Sequence, residues 1–163
     1  MAESLQDNIQ NAATTIKLPP NSQEAEQSVL GGLMLNDQHW FDLVDILQPS
    51  DFYRNQHQLI YQAMIELANQ DEALDAVTVS EKLKSKAILE KAGGIEYLGQ
   101  LAESSTGASN VLAYARIIRE RSVLRQLIGA ANQIADSAFS TEGKDSETLL
   151  EKAEQAIFSI SER

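Results

Sequence analysis

The chemically capable side chains of this chain concentrate in a short stretch, Asp37, His39, Asp42 and Asp45. His39 and Asp42 are three residues apart, as are Asp42 and Asp45, so one helix face could carry all three. Such a set could ligate a divalent cation or move protons, which would make a small metal-dependent enzyme. Trp40, Phe41 and Val44 occupy the same segment, and burying them turns the acids towards water. A solvated acidic face is therefore the expectation. His57, the other of the two histidines, opens a helical pattern near Tyr53 and Tyr61. It reads as a packing residue hydrogen-bonded at a helix start. Nucleotide chemistry finds no cradle. Gly143-Lys144 lacks the earlier glycine of a phosphate-binding loop and is followed by Asp145 rather than Ser or Thr. With no cysteine, thiolate chemistry, disulfides and thiolate zinc sites are excluded. No catalytic, cofactor-binding or metal-ligating residue is assigned.

The remaining cluster is basic: Arg116, Arg119, Arg121 and Arg125, four of the thirteen Lys and Arg residues. The formal net charge is −11, which opposes affinity for DNA, RNA or an anionic membrane surface. Salt bridges to acids on a neighbouring helix or subunit are the simpler role for these arginines. There is no apolar run long enough to span a bilayer. The acidic, polar start Met1-Ala2-Glu3-Ser4-Leu5 lacks the basic residues and apolar core of a secretory signal, so the chain reads as cytoplasmic.

The elements that would carry these residues are all helical. Residues 1–18 read as a flexible tail ended by Pro19-Pro20. A globule is expected over 19–107. Its first helix starts at a cap on Asn21 or Ser22 and ends near Leu35. The pair Gly31-Gly32 inside it costs helix stability, which implies close approach of another backbone or side chain. A second helix covers about 37–47 with Trp40, Phe41, Val44 and Leu47 inward. A third covers about 55–69 with Ile60, Tyr61, Met64, Ile65 and Ala68 inward. Thr78 with Glu81 looks like a capping box for the next, carrying Val79 and Leu83. Ile95, Leu98 and Leu101 stripe a short helix after Gly93-Gly94.

Residues 108–163 change character. A helical pattern runs from about Ser109 to Ala138, long enough for about 45 Å. It carries one apolar stripe of Ile117, Leu124, Ile128, Ala131 and Ala135, and a second of Val111, Tyr114 and Ile118. After a turn, Leu149, Ala153, Ala156 and Ile160 stripe another helix, with Leu150 and Ile157 beside them. Two such helices joined by a short turn make an antiparallel hairpin. Its excess apolar surface calls for another copy, a partner, or the chain's own globule. The fold class is all-α: a compact multi-helix globule followed by an antiparallel helical hairpin.

Four ordered stretches match one family. They are residues 20–31 (Pro20 to Gly31), Asp51-Phe52-Tyr53 with His57 and Ile60-Tyr61, Ala92 to Leu98 (92–98), and Tyr114 to Arg121 (114–121). Over about 18–162 the chain resembles the N-terminal domain of the bacterial replicative hexameric DNA helicases of DnaB type. The resemblance implies a collar domain whose hairpins pair, dimers becoming a hexamer as a trimer of dimers. It also implies docking of the C-terminal helicase-binding domain of primase. ATP and Mg would belong to a motor domain reached through a linker beyond Arg163, not to this fragment. Seam or dimer candidates are Ile117, Leu124, Ile128, Leu149, Ala153 and Ile157. Partner-contact candidates are Tyr114, Ile118, Arg116, Arg119, Arg121 and Arg125. The alternative is a standalone acidic helical adaptor that binds a partner helix.

Overall fold

The computed structural model describes residues 17–105 and 110–162, and the expectation for the tail falls largely outside them. Among the described residues the regular elements are α1 (Gln23–Leu35), α2 (Trp40–Ile46), a 3₁₀ turn (Pro49–Asp51), α3 (Asn55–Asn69), α4 (Ala76–Ser85), α5 (Gly94–Ser104), α6 (Val111–Phe139) and α7 (Ser146–Ser161), with no strand. None of these helices is long and apolar enough to cross a membrane.

Local chemistry sets the helix ends. The Ser22 hydroxyl accepts from the Ala25 amide at 3.2 Å and starts α1. Asp145 caps α7 by accepting from Thr148 N at 2.9 Å. For α4 the cap is Asp75, whose carboxylate accepts from Thr78 N at 2.9 Å. Thr78 lies inside the first turn instead of at the cap. Its hydroxyl donates to the Ala73 carbonyl at 2.7 Å, and the Asp75 carboxylate, a charged acceptor, takes the cap. Gly93 precedes α5 with φ 105°, and Gly94 follows with φ 78°, values a side chain resists.

The core is one cluster. Leu30, Leu33, Leu43, Phe52, Ile60, Tyr61, Met64, Leu83, Leu98, Leu101 and Ile118 are enclosed. Tyr61 lies at its middle, 4.9 Å from the Phe52 ring and 5.7 Å from the Trp40 ring. Its hydroxyl donates to the Leu47 carbonyl at 3.1 Å. Two aromatic or aliphatic expectations turn outward. Phe41 is 81% exposed, because α2 presents Trp40, Leu43 and Leu47 to the core. Ile95 is 62% exposed, since α5 buries Leu98 and Leu101 one turn further on. A surface ion pair ties α3 to α4. Glu66 accepts from Lys86 at 2.5 Å, and that hydrogen bond, opposed by partial burial, holds its carboxyl below the usual value.

Helix α6 joins the two units. Val111, Ala115 and Ile118 belong to the core of the globule, so the long helix starts inside the unit expected to end at 107. Helix α1 packs against α5 and the first half of α6. The glycine pair makes that fit possible. A Cβ at Gly31 would run into the Leu101 carbonyl oxygen, and one at Gly32 would lie 2.7 Å from Val111 Cγ2. The second half of α6 leaves the globule and packs with α7, none of whose residues is buried.

Gly31→Ala should therefore lower stability by about 1–3 kcal/mol through overpacking against rigid backbone. Gly99→Ala, with nothing within 4 Å of its Cβ position, should leave stability unchanged or raise it. Thermal unfolding of both variants checks the pair, and equal effects would sink the close-approach account.

Candidate functional site

Three of the four sequence motifs converge on one buried chain of polar groups. Glu26 on α1 and His57 on α3 are 1% and 0% exposed. His57 Nδ1 stands 2.7 Å from Glu26 Oε1, and its Nε2 stands 2.6 Å from the Tyr97 hydroxyl on α5. The carboxylate can only accept, so Nδ1 carries the hydrogen and donates to it. In the neutral ring Nε2 then accepts from Tyr97. The Tyr97 oxygen in turn accepts from Gln27 Nε2 at 3.3 Å. Glu26 also accepts from the amides of Tyr53 at 2.9 Å and Arg54 at 3.4 Å, at the entry to α3. The His57 and Tyr97 rings stack at 6.0 Å.

Carboxylate, imidazole and hydroxyl in that order resemble a nucleophilic relay. Here the imidazole is enclosed and both its nitrogens are engaged within the chain. A reacting group has no access to it. The arrangement instead ties α1, α3 and α5 together. His57 is structural, as expected, and its partners are Glu26 and Tyr97.

The fourth motif forms a second buried set. Asp51 is 0% exposed. Its Oδ1 accepts from the Ser122 hydroxyl at 2.7 Å and from Arg119 Nη1 at 3.2 Å, and Oδ2 accepts from Gln48 N at 2.7 Å. Arg125 donates to the Pro20 carbonyl at 2.7 Å and to the Asp51 carbonyl at 2.6 Å, and its guanidinium lies 5.4 Å over the Tyr53 ring. Half of the arginine cluster is thus used inside the chain, latching α6 to the globule. Arg116 is exposed and Arg121 half-buried. Ile118 is 1% exposed and sits in the core, so it offers no surface to a partner, and Tyr114 is half-buried against the same core.

The acids Asp37, Asp42 and Asp45 face water as expected. His39 Nδ1 reaches only Asp42, at 3.8 Å, on side chains 33% and 71% exposed. No group of three or more metal-binding side chains forms among the described residues.

Part of the exposed apolar surface lies on the hairpin. Leu149, Ala153, Ala156 and Ile160 are the half-buried inner stripe of α7, as the spacing predicts. Between Leu149, Ala153 and Ala156 of that stripe and Ile134 lies a cavity of about 560 Å³, with Lys152 in its lining. Contact with Lys144 holds the Lys152 ammonium below its usual lysine value. On α6, Ile117 and Ile128 are 37% and 48% exposed, and Leu124 is half-buried. Leu150, Ile157 and Phe158 lie open on α7. Of the six seam candidates, Leu149 and Ala153 line the hairpin interior, while Ile117, Ile128 and Ile157 are open.

The geometry defines an all-helical scaffold whose buried polar chemistry is spent on its own packing and whose hairpin leaves apolar side chains open. Residues 18–120 match the DnaB-like helicase N terminal domain, and the chain belongs to that family. It is 40% identical over 148 residues to the replicative DNA helicase DnaB of Haemophilus influenzae, covering 91% of this chain and 32% of that one. To the DnaB of Geobacillus stearothermophilus it is 42% identical over 147 residues, 90% of this chain and 32% of that one. The chain thus spans about a third of the length of these relatives. Among solved structures, the N-terminal domain of DnaB helicase from Mycobacterium tuberculosis superposes with a TM-score of 0.84 at 36% identity, covering 87% of this chain and 99% of that one. The corresponding domain from Helicobacter pylori, whose structure was described with its interactions with primase, gives 0.60 at 28% identity, covering 71% and 89%.

Glu26→Ala should cost about 3–5 kcal/mol, because it leaves His57 and two amides buried without their acceptor. Urea denaturation measures this, and a loss below about 1 kcal/mol would contradict a tie made by the carboxylate. Asp51→Ala should be comparably destabilising by stranding Arg119 and Ser122.

Proposed function

We propose that this chain is the N-terminal collar domain of a replicative DNA helicase, supporting a hexameric ring by pairing hairpins and docking primase. The observation that carries the pairing is the two-sided hairpin: α7 has no buried residue, yet Leu150, Ile157 and Phe158 lie open beside the open Ile117 and Ile128 of α6. Apolar area of this kind on a soluble domain marks an interface. The candidates Ile117, Leu124, Ile128 and Ile157 supply its outer face, and Leu149 with Ala153 hold the hairpin to which that face belongs.

Primase docking is supported by membership of the family and by the Helicobacter pylori relative studied with primase. Arg116 and Arg121 are the cations left outside the Asp51 latch, next to the exposed Ile117. They suit an acidic, partly apolar surface on the partner, with Tyr114 at the border. ATP hydrolysis, its Mg and DNA unwinding would belong to the rest of a longer protein of the relatives' size, acting in the cytoplasm at the replication fork. This chain, without a phosphate-binding loop, supplies architecture.

Light scattering across a wide concentration range should show self-association of the chain. Ile128→Asp and Ile157→Asp, both at exposed sites, should weaken it about tenfold or more with thermal stability nearly unchanged. A strict monomer at all concentrations would remove the pairing. Calorimetric titration with a primase C-terminal domain should show binding weakened about tenfold by Arg116→Glu with Arg121→Glu. Unchanged affinity would remove those arginines from the docking surface.

A further inference from the structure

Helix α6 carries an apolar line that is only partly covered. Ile117, Arg121, Leu124 and Ile128 follow at spacings of four, three and four, so they share one face. Ile117 and Ile128 are 37% and 48% exposed, and Arg121 and Leu124 are half-buried. Helix α7 is too short to run along all of it. Its 16 residues span about 24 Å back from the turn, which brings Ser161 about level with Leu124 and leaves Ile117 and Arg121 beyond its end.

The chain itself starts beside this face. Arg125 lies three residues before Ile128, a surface neighbour on the helix, and donates to the Pro20 carbonyl at 2.7 Å. Lys17, Leu18 and Pro19 are exposed next to that anchor. The residues before them precede the described ones, and their sequence carries Leu5, Ile9, Ala12 and Ile16. Those four repeat the spacing of four, three and four found from Ile117 to Ile128. Each set covers eleven residue steps, which as helix is about 17 Å. Charge agrees with the match. Glu3 and Asp7 flank Leu5, while Arg116 and Arg121 flank Ile117 and stand outside the Asp51 latch. Setting Ile16 against Ile128 and Leu5 against Ile117 brings the two acids level with the two cations.

We propose that residues 5–16 of this chain dock on the Ile117–Ile128 face of α6, with Ile16 towards Ile128 and Leu5 towards Ile117. Tethered at Pro20, the segment meets α6 at an effective concentration of about millimolar, so modest contacts suffice. The docking needs no second molecule. Its consequence, that another copy or primase must displace the segment, rests on the pairing and docking proposed above.

Because the chain has no cysteine, Gln6→Cys places a single spin label near Leu5 without background. Paramagnetic broadening of methyl signals is then read at a concentration where light scattering gives a monomer. The Ile117 and Leu124 methyls should broaden strongly, and Ile9→Asp with Ile16→Asp, both outside the globule, should erase most of that broadening. Arm methyls left sharp would overturn the docking. So would broadening that survives the two aspartates, since it would record only the nearness of a tethered segment. Mixing spin-labelled chain with isotope-labelled chain reads contacts between copies. Broadening seen in the mixture but not within one chain would assign the segment to a second copy and overturn the proposal. Deleting residues 1–16 should strengthen self-association about tenfold, as expected where the segment occupies the face in about nine chains of ten. A chain that stays monomeric with and without the deletion would fail the pairing and leave the broadening result standing.

Discussion

A carboxylate taken out of water must find its hydrogen bonds inside the protein, and both Glu26 and Asp51 are taken out of water. An unpaired charge at either position would cost more than a domain of this size has in net stability to lose. Each is therefore surrounded by donors drawn from distant parts of the chain. Glu26 gathers His57 and the amides before α3, and through His57 reaches Tyr97 on α5. Asp51 gathers Ser122 and Arg119 from α6. These demands fix which helices lie side by side. An apolar core alone permits several packings of similar volume, whereas a buried acid is satisfied in few of them.

The two buried acids divide the structure in a useful way. The Glu26 set lies wholly within the globule and closes it. The Asp51 set joins the globule to the first half of α6 and so sets the direction in which the hairpin departs. Helix α6 can serve both units because its two stripes point to different neighbours. Val111, Ala115, Ile118 and Ser122 face the globule, while Ile117 and Ile128 do not. A single uninterrupted helix then carries orientation from the globule to the arm, with the glycine pair of α1 allowing the close fit at its root. The apolar area that remains open lies on both helices of the arm.

Much of this was legible in the residues. The helical class followed from spacing, the start of α1 from its cap, the extent of α3 from its apolar spacing, and the inner stripe of α7 from its 4-3-4 spacing. The close approach at Gly31-Gly32 followed from the cost of glycine in a helix. Corrections came where two local signals competed. Thr78 lost the cap of α4 to Asp75, whose carboxylate accepts from the amide of Thr78 itself and so starts the helix three residues earlier. Phe41 and Ile95 fit an inward stripe by period, but their short helices had room to bury only the neighbouring Trp40 and Leu43, or Leu98 and Leu101. The Glu26–His57 contact left a trace that periodicity could have caught. Glu26 lies on the stripe of Val29, Leu30 and Leu33, and His57 on that of Ile60, Tyr61 and Met64, each a polar group that demands a partner.

Spacing records which face of a helix is apolar, and that is a property of each segment alone. What covers the face is not. Ile117 and Ile118 are neighbours of like chemistry, yet one is 37% exposed and the other 1%. Arg116 and Arg119 are three residues apart, yet only Arg119 reaches Asp51, 68 positions away. The chain by itself decided that helices would form, where they would stop, and that the hairpin would carry more apolar surface than one seam uses. The tertiary fold decided which arginines are spent internally and which stripe remains open. Those outcomes depend on the angles at which separate helices cross, and helix crossings are set by groups far apart in sequence that must satisfy one another at once.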